Sequence, residues 1–251
     1  MQNWVLDIRF KYYLFIVAVV LSSCKKAEDR ACFKSLGKVT TEIRSLNNFK
    51  HIYISDNIEL QLTPSTKNEV SINSPKNLLN FITTEVRNDT LYIANKNKCN
   101  ILRSYQHNIV ADVSFTDLHY IKSYSSQDIR STSTLNLDTL ITEGFFVNGD
   151  VYLDFNGTYL ATIVHSGGRN VTVRGNAFES YAYHIGTGSI FYENLNVEKT
   201  HIHSRTTADC YITATKKISI EIHSGGNVYY DNSTKPEVTI KQRGDGKAIP
   251  F

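Results

Sequence analysis

The chain reads as an all-β protein, and within that class as a β-solenoid with about 20 residues per coil. Three observations predict this. A glycine-punctuated phrase recurs as His165-Ser166-Gly167-Gly168-Arg169-Asn170-Val171, His184-Ile185-Gly186-Thr187-Gly188-Ser189-Ile190 and His223-Ser224-Gly225-Gly226-Asn227-Val228. Weaker copies lie at Tyr124–Ile129, Val147–Val151 and His203–Cys210, with a partial one at Gln242–Gly246. Aligned on the apolar residue after the turn, the copies give Ile129, Val151, Val171, Ile190, Cys210, Val228 and Ala248, at intervals of 22, 20, 19, 20, 18 and 20. Between the turns, apolar and polar residues alternate, as in half-buried strands.

One coil cannot bury its own inner face, but coils stacked about 4.8 Å apart bury a continuous column. Glycine recurs where the chain must turn with positive φ or approach its neighbour closely. A second apolar position recurs within each coil at Leu140, Leu160, Phe178, Leu195 and Ile218. The competing arrangement is an antiparallel sandwich with glycine turns. A phase held over six intervals favours the solenoid.

Ahead of the repeat, the same alternation marks further strands. Ile52 and Ile54 alternate with polar neighbours, as do Ile58, Leu60 and Leu62 before Thr63-Pro64-Ser65. Val70 and Ile72 follow, then Leu91 and Ile93 after an Asn88-Asp89 turn, then Ile109, Ala111, Val113 and Phe115. A helical turn is expected only over Asn77 to Phe81, and Asn95 to Tyr105 reads as a loop. The stretches Phe49–Phe115 and Pro236–Phe251 are expected to close the two ends of the solenoid, since an open end is an exposed sheet edge.

The 251 residues suffice for one large β domain or two small ones, and the formal net charge of +3, without a basic cluster, argues against nucleic acid as a partner. Residues 1–23 read as a lipoprotein signal peptide. Arg9 and Lys11 precede an apolar run, Tyr12 to Leu21, that is too short to span a bilayer. It ends in Leu21-Ser22-Ser23-Cys24, which resembles a bacterial lipobox. The resemblance implies cleavage before Cys24 and lipidation of that cysteine, hence a membrane partner through a lipid anchor. A buried N-terminal helix or an uncleaved anchor is the alternative. Residues 24–38 then form a polar tether, and residues 39–251 the β domain.

Export implies an oxidising compartment. Cys32 and Cys99 are a candidate disulfide, whereas Cys210 falls on the apolar anchor phase and is expected in the core.

A family resemblance rests on particular residues. The opening Phe49-x-x-Ile52-x-Ile54, then Ile82-Thr83-Thr84-Glu85-Val86 and Asp89-Thr90-Leu91-Tyr92-Ile93, lead into serine-glycine repeats. This resembles the head GIN domain family of auto-transporter adhesins, found in lipoproteins of Bacteroidetes-type bacteria. The resemblance covers about Lys38 to Phe251 and implies a right-handed parallel β-helix. It brings no catalytic set. The chain departs from the family by placing His or Tyr before several Ser-Gly turns, and by degrading the copy at Arg205-Thr206-Thr207.

Three side-chain rows are candidates for function. His165, His184, His203 and His223 are spaced 19, 19 and 20 apart, one coil each, so stacking would form a histidine ladder. Neighbouring imidazoles can share a metal, but no Cys or carboxylate joins them at a fixed phase, so no metal or other cofactor is assigned. Tyr152, Thr172, Phe191, Tyr211 and Tyr229 follow the anchors by one residue and form a candidate aromatic binding face. Asp128, Asp150, Asn170, Asp209 and Asn227 precede the anchors. Asp128 and Asp150 on adjacent coils could mimic a retaining-glycosidase pair, while the plainer role is hydrogen bonding at turns. The favoured expectation is a non-enzymatic lipoprotein of the bacterial cell envelope, anchored in the outer membrane, that presents a rigid face to a glycan or an envelope protein. A carbohydrate-active enzyme on the same scaffold is the alternative.

Overall fold

The structure is a computed structural model, and it describes residues 35–97 and 108–251. Cys24, Cys32 and Cys99, with the expected signal segment and most of the tether, lie outside the described residues.

Among the described residues, nineteen strands form one continuous sheet. The first seven are β1 (Val39–Ser45), β2 (His51–Asp56), β3 (Glu59–Pro64), β4 (Glu69–Pro75), β5 (Ile82–Arg87), β6 (Thr90–Asn95) and β7 (Val110–Phe115). A single helical turn, α1 (Lys76–Leu79), overlaps the stretch expected to be helical. The repeating part comprises β8 (Tyr120–Ser125), β9 (Ile129–Ser131), β10 (Leu135–Asn136), β11 (Thr139–Gly144), β12 (Val151–Val164), β13 (Val171–Gly186) and β14 (Ile190–Thr206). It continues through β15 (Cys210–Ile212), β16 (Lys217–Ile222), β17 (Val228–Tyr230), β18 (Glu237–Gln242) and β19 (Ala248–Pro250).

From β8 onward every pairing is parallel, with successive coils about 20 residues apart, so the chain is a parallel β-helix. The anchors stack residue on residue. Leu60 pairs with Ile129, Ile129 with Val151, Val151 with Val171, Val171 with Ile190, and Cys210 with Val228. All six residues from Ile129 to Val228 in this row are at most 1% exposed. Each such aliphatic side chain contributes about 1.5–3 kcal/mol of burial. Cys210 is a free thiol wholly inside the core, and burial pushes it up to about 12, so it is inert at neutral pH.

The second apolar row differs from expectation. Leu140 pairs with Leu160, but Leu160 pairs with Ser180, Ser180 with Thr200 and Thr200 with Ile218. Ser180 and Thr200 are buried and hydrogen-bond each other at 2.9 Å, which makes the polar pair tolerable inside. Phe178 is instead 44% exposed, and Leu195 stacks on Gly175 in another row. A register shift between Thr172 and Arg174 accompanies this change.

The N-terminal portion is not a simple succession of coils. β2 lies between β6 and β8, and β3 between β7 and β9, all in parallel. The coil made by β2 and β3 is therefore earlier in sequence than the β6–β7 coil but nearer the repeats in space. Antiparallel strands close this end. β1 pairs with β4, β4 with β7, and β5 with β6. The β5–β6 hairpin turns at Asn88 and Asp89, whose φ angles of 48° and 57° suit a two-residue turn. At the other end, the Pro236–Phe251 stretch does not fold over the core as expected of a closing segment. It forms one more coil, with β18 paired to β16 and β19 to β17. Ile240 and Phe251 there are 45% and 59% exposed.

Candidate binding surface

Strand alternation sends every second residue outward, and parallel in-register stacking lines those residues up between coils. The longest outward row is aromatic. Tyr92, Tyr53, Tyr124, Phe145, His165, Tyr183, His203 and His223 follow one another along the β-helix. Neighbouring ring centroids lie 5.5, 5.5, 5.1, 4.2, 5.8, 5.0 and 4.4 Å apart. All eight residues are half-buried. Cations sit over the first and the fourth of the rings. Arg87 is 4.9 Å from the Tyr92 centroid and Lys122 is 4.8 Å from that of Phe145. Beside the row, Glu143 accepts hydrogen bonds from the Tyr120 hydroxyl and from His165 Nε2, the latter at 2.8 Å. Burial alone would raise the Glu143 carboxyl, but these bonds hold it below the usual carboxylate range.

Three of the four histidines read as a ladder therefore share this row, and His184 does not. Val164 is the register partner of His184, so His184 faces the interior and is fully buried. Tyr183 takes the outer place. The register between β12 and β13 is 20 residues, so His184 pairs with Val164 and not with His165 one residue further on, and successive residues face opposite sides. Neither His184 nitrogen has a hydrogen-bond partner. Burial, followed by the positive charge of Arg169, pushes His184 down to about 4. Arg169 itself is only 2% exposed. Its side chain turns inward at the glycine corner, where Nε donates to the Gly149 carbonyl at 2.5 Å and Nη2 to those of Ser125 and Gln127 at 3.4 Å. A charged residue in a polar turn reads as solvated, so nothing in the sequence announces this plug.

The row read as an aromatic face lies on the far side of the glycine turn from the longer one. Phe191, Tyr211 and Tyr229 form a stack, with centroids 5.7 and 5.0 Å apart and planes within 10°. Tyr152 stands apart from it, because Thr172 occupies the intervening coil. The guanidinium of Arg130 covers Tyr152 at 4.1 Å. Arg130, Tyr152, Asp154, Thr172 and Arg174 line a shallow groove of about 280 Å³. That lies just below the usual range for small-molecule pockets, and its charged groups are already paired, Arg174 with Asp154 and Arg130 with Asp128.

The acid row serves the backbone of the next coil. Asp128 Oδ1 accepts the Asp150 amide at 2.7 Å, Asp150 Oδ1 the Asn170 amide at 2.9 Å, and Asn170 Oδ1 the Ser189 amide at 3.0 Å. Asp209 and Asn227 repeat this at 2.9 and 3.0 Å. An asparagine ladder, Asn136, Asn156, Asn176 and Asn196, joins coils by side-chain amide bonds of 3.4, 2.9 and 3.1 Å. The sequence reading missed it, although the four residues sit exactly one coil apart in the written chain.

Among the described residues, the surface offers long ordered rows rather than an enclosed pocket with converging reactive groups. The molecule is thus a parallel β-helix with an extended, ordered lateral face. The chain belongs to the family described as "Putative auto-transporter adhesin, head GIN domain", whose model matches residues 48–234. Solved structures share the fold. A "putative adhesin" from Bacteroides fragilis is 20% identical, with a TM-score of 0.76 over 85% of this chain and 97% of that one. A "putative adhesin" from Parabacteroides merdae is 18% identical, with a TM-score of 0.60 over 86% and 98%. A "putative lipid binding protein" from Parabacteroides distasonis is 16% identical, with a TM-score of 0.63 over 86% and 97%. Comparison with curated proteins returns no match.

Proposed function

We propose that the protein is a non-enzymatic binding module of the bacterial cell envelope, anchored in the outer membrane by lipid on Cys24, whose outward aromatic rows engage a glycan or an envelope protein. The observation that carries this reading is the eight-ring row from Tyr92 to His223, held in register by strand pairing. Half-buried aromatic rings on a rigid support give contact area at little entropic cost, and their faces suit sugar rings and apolar side chains alike. Membership of an adhesin-head family and the signal-like segment ending at Cys24 support the envelope location. The enzyme alternative is disfavoured because Asp128 and Asp150 each have an oxygen committed to a backbone amide.

A glycan array and a pull-down from intact cells test the reading. Combined Tyr53→Ala, Tyr124→Ala and Phe145→Ala substitutions should abolish capture by the longer row, and Tyr152→Ala, Tyr211→Ala and Tyr229→Ala capture by the shorter one. Capture unchanged in both sets overturns the binding face. Polysaccharide turnover that disappears in Asp150→Asn would establish the enzyme instead. Cys24→Ser should release the protein from the membrane fraction, and its retention there would sink the anchor.

A further inference from the structure

The C-terminal end of the long aromatic row carries a cluster that the ring contacts do not explain. β14 and β16 are parallel neighbours, and His203 is the register partner of Glu221. Two residues on, His223 extends from the same strand end as Glu221, so all three side chains share the outer face. Their donor atoms lie within 4.8 Å of one another. The Nε2 atoms of His203 and His223 are buried and have no hydrogen-bond partner, and neither has that of His201 on the same face. Glu221 Oε1 is held by Lys241 Nζ at 3.0 Å. Its Oε2 faces His223 Nε2 at 3.6 Å, beyond hydrogen-bond reach. Two imidazole nitrogens without hydrogen-bond partners, beside a carboxylate oxygen whose nearest contact is a loose 3.6 Å ion pair, are an unexplained arrangement in a row otherwise made of packed rings.

We propose that His203, Glu221 and His223 form a binding site for a divalent cation of the zinc class. Two neutral imidazoles and one carboxylate are a donor set that such cations favour over Mg²⁺ or Ca²⁺, which prefer all-oxygen sites. The backbone positions are fixed by the parallel ladder. Binding therefore needs only rotation of the two imidazoles out of their 4.4 Å stack, which brings donors from within 4.8 Å to the roughly 3.3 Å separation of a tetrahedral site. Lys241 leaves Oε2 as the donating oxygen. Arg205 and Lys241 oppose a cation here, while Glu221 favours it. Three protein ligands leave a fourth position for solvent, for His201, whose Nε2 is 4.0 Å from Glu221 Oε1, or for a carboxylate or hydroxyl of a bound molecule. His203 and His223 are also the last two rings of the aromatic row, but the metal site needs no partner bound to that row.

Calorimetry with Zn²⁺ alone on the purified full chain tests the site, with Mg²⁺ as the contrast. The expected result is saturable binding of Zn²⁺ near one equivalent and none of Mg²⁺. His203→Ala, His223→Ala and Glu221→Gln should each weaken it by about tenfold or more. His165→Ala, in the same row but remote, should leave it unchanged. Thermal melting supplies a second readout. Zn²⁺ should raise the melting temperature of the parent chain and of His165→Ala, but not of Glu221→Gln, which keeps the shape of the carboxylate. Absence of saturable Zn²⁺ binding overturns the proposal. So does binding that survives all three substitutions, which would assign the metal to other histidines or cysteines.

Discussion

Tyr183 and His184 are adjacent in sequence but face opposite sides of the sheet. Tyr183 meets His203 in the outer aromatic row, while His184 lies over Val164 inside the core. The inner histidine has no partner for either nitrogen, and Arg169 adds to its discomfort when charged.

That burial makes stability depend on pH. His184 falls to about 4 in the fold from an ordinary 6.5, so between these values the unfolded chain takes up a proton that the folded chain refuses. Its contribution is full above pH 6.5 and is lost as pH falls toward 4, by about 3 kcal/mol at most. Urea unfolding at pH 7 and pH 4.5 should show this loss. In His184→Leu much of it should vanish, leaving a slope from His203, which is shifted in the same direction. A loss of unchanged size in His184→Leu would contradict the assignment.

Two glycines in the same repeated phrase should respond oppositely to alanine. At Gly167, φ is +121° and an added Cβ would stand 1.8 Å from the Val147 carbonyl oxygen. Gly167→Ala should therefore cost at least about 2 kcal/mol. At Gly225 an added Cβ meets nothing within 4 Å. Gly225→Ala should be neutral or stabilise by about 0.4–1 kcal/mol through the unfolded state. Thermal melts of the two variants give the comparison directly.

The acid row should behave as a backbone support. Asp150→Ala leaves the Asn170 amide without its 2.9 Å acceptor and should cost about 1–2 kcal/mol. Asp150→Asn keeps an oxygen in place and should cost less than half of that. Equal losses in chemical denaturation would argue that charge, rather than the acceptor, is what the position supplies.

In the shorter row, Tyr211 is stacked on both sides, by Phe191 and Tyr229. Tyr211→Ala should lose about 1 kcal/mol of stability, and Tyr211→Phe almost none, since the ring rather than the hydroxyl makes the contacts. A large loss in Tyr211→Phe would point to a hydroxyl bond instead.

The anchor row was legible residue by residue, because glycine turns mark its phase and Ile129, Val151, Val171, Ile190, Cys210 and Val228 all fall on it. Facing was less legible in the histidine row: the 20-residue register sets His184 against Val164, and Phe145 and Tyr183 take outer places that the repeated histidine does not mark. The second apolar row was misread at Phe178 and Leu195, since Ser180 and Thr200 satisfy each other inside and no hydrophobic residue is needed there. The placement of β2 and β3 was out of reach. No repeated phrase marks those strands, and alternation alone says which face is buried, not which neighbour covers it.

That placement has a consequence for how the molecule is made. Within the repeats, each strand meets its partner after about 20 residues, so a coil can dock on its predecessor as soon as it exists. The β2–β3 coil has no such opportunity. His51 waits for Thr90 on one side and Tyr120 on the other, and Leu60 for Ala111 and Ile129. A chain synthesised from its N-terminus therefore carries an apolar, doubly open segment until slightly more than its first half, through Ile129, has emerged. Growth of the ordered rod begins only once that segment is enclosed from both sides. The slow step of folding belongs to the portion without repeats, and substitutions in Ile52, Ile54 or Leu60 should retard folding more than equivalent changes in Val171 or Val228.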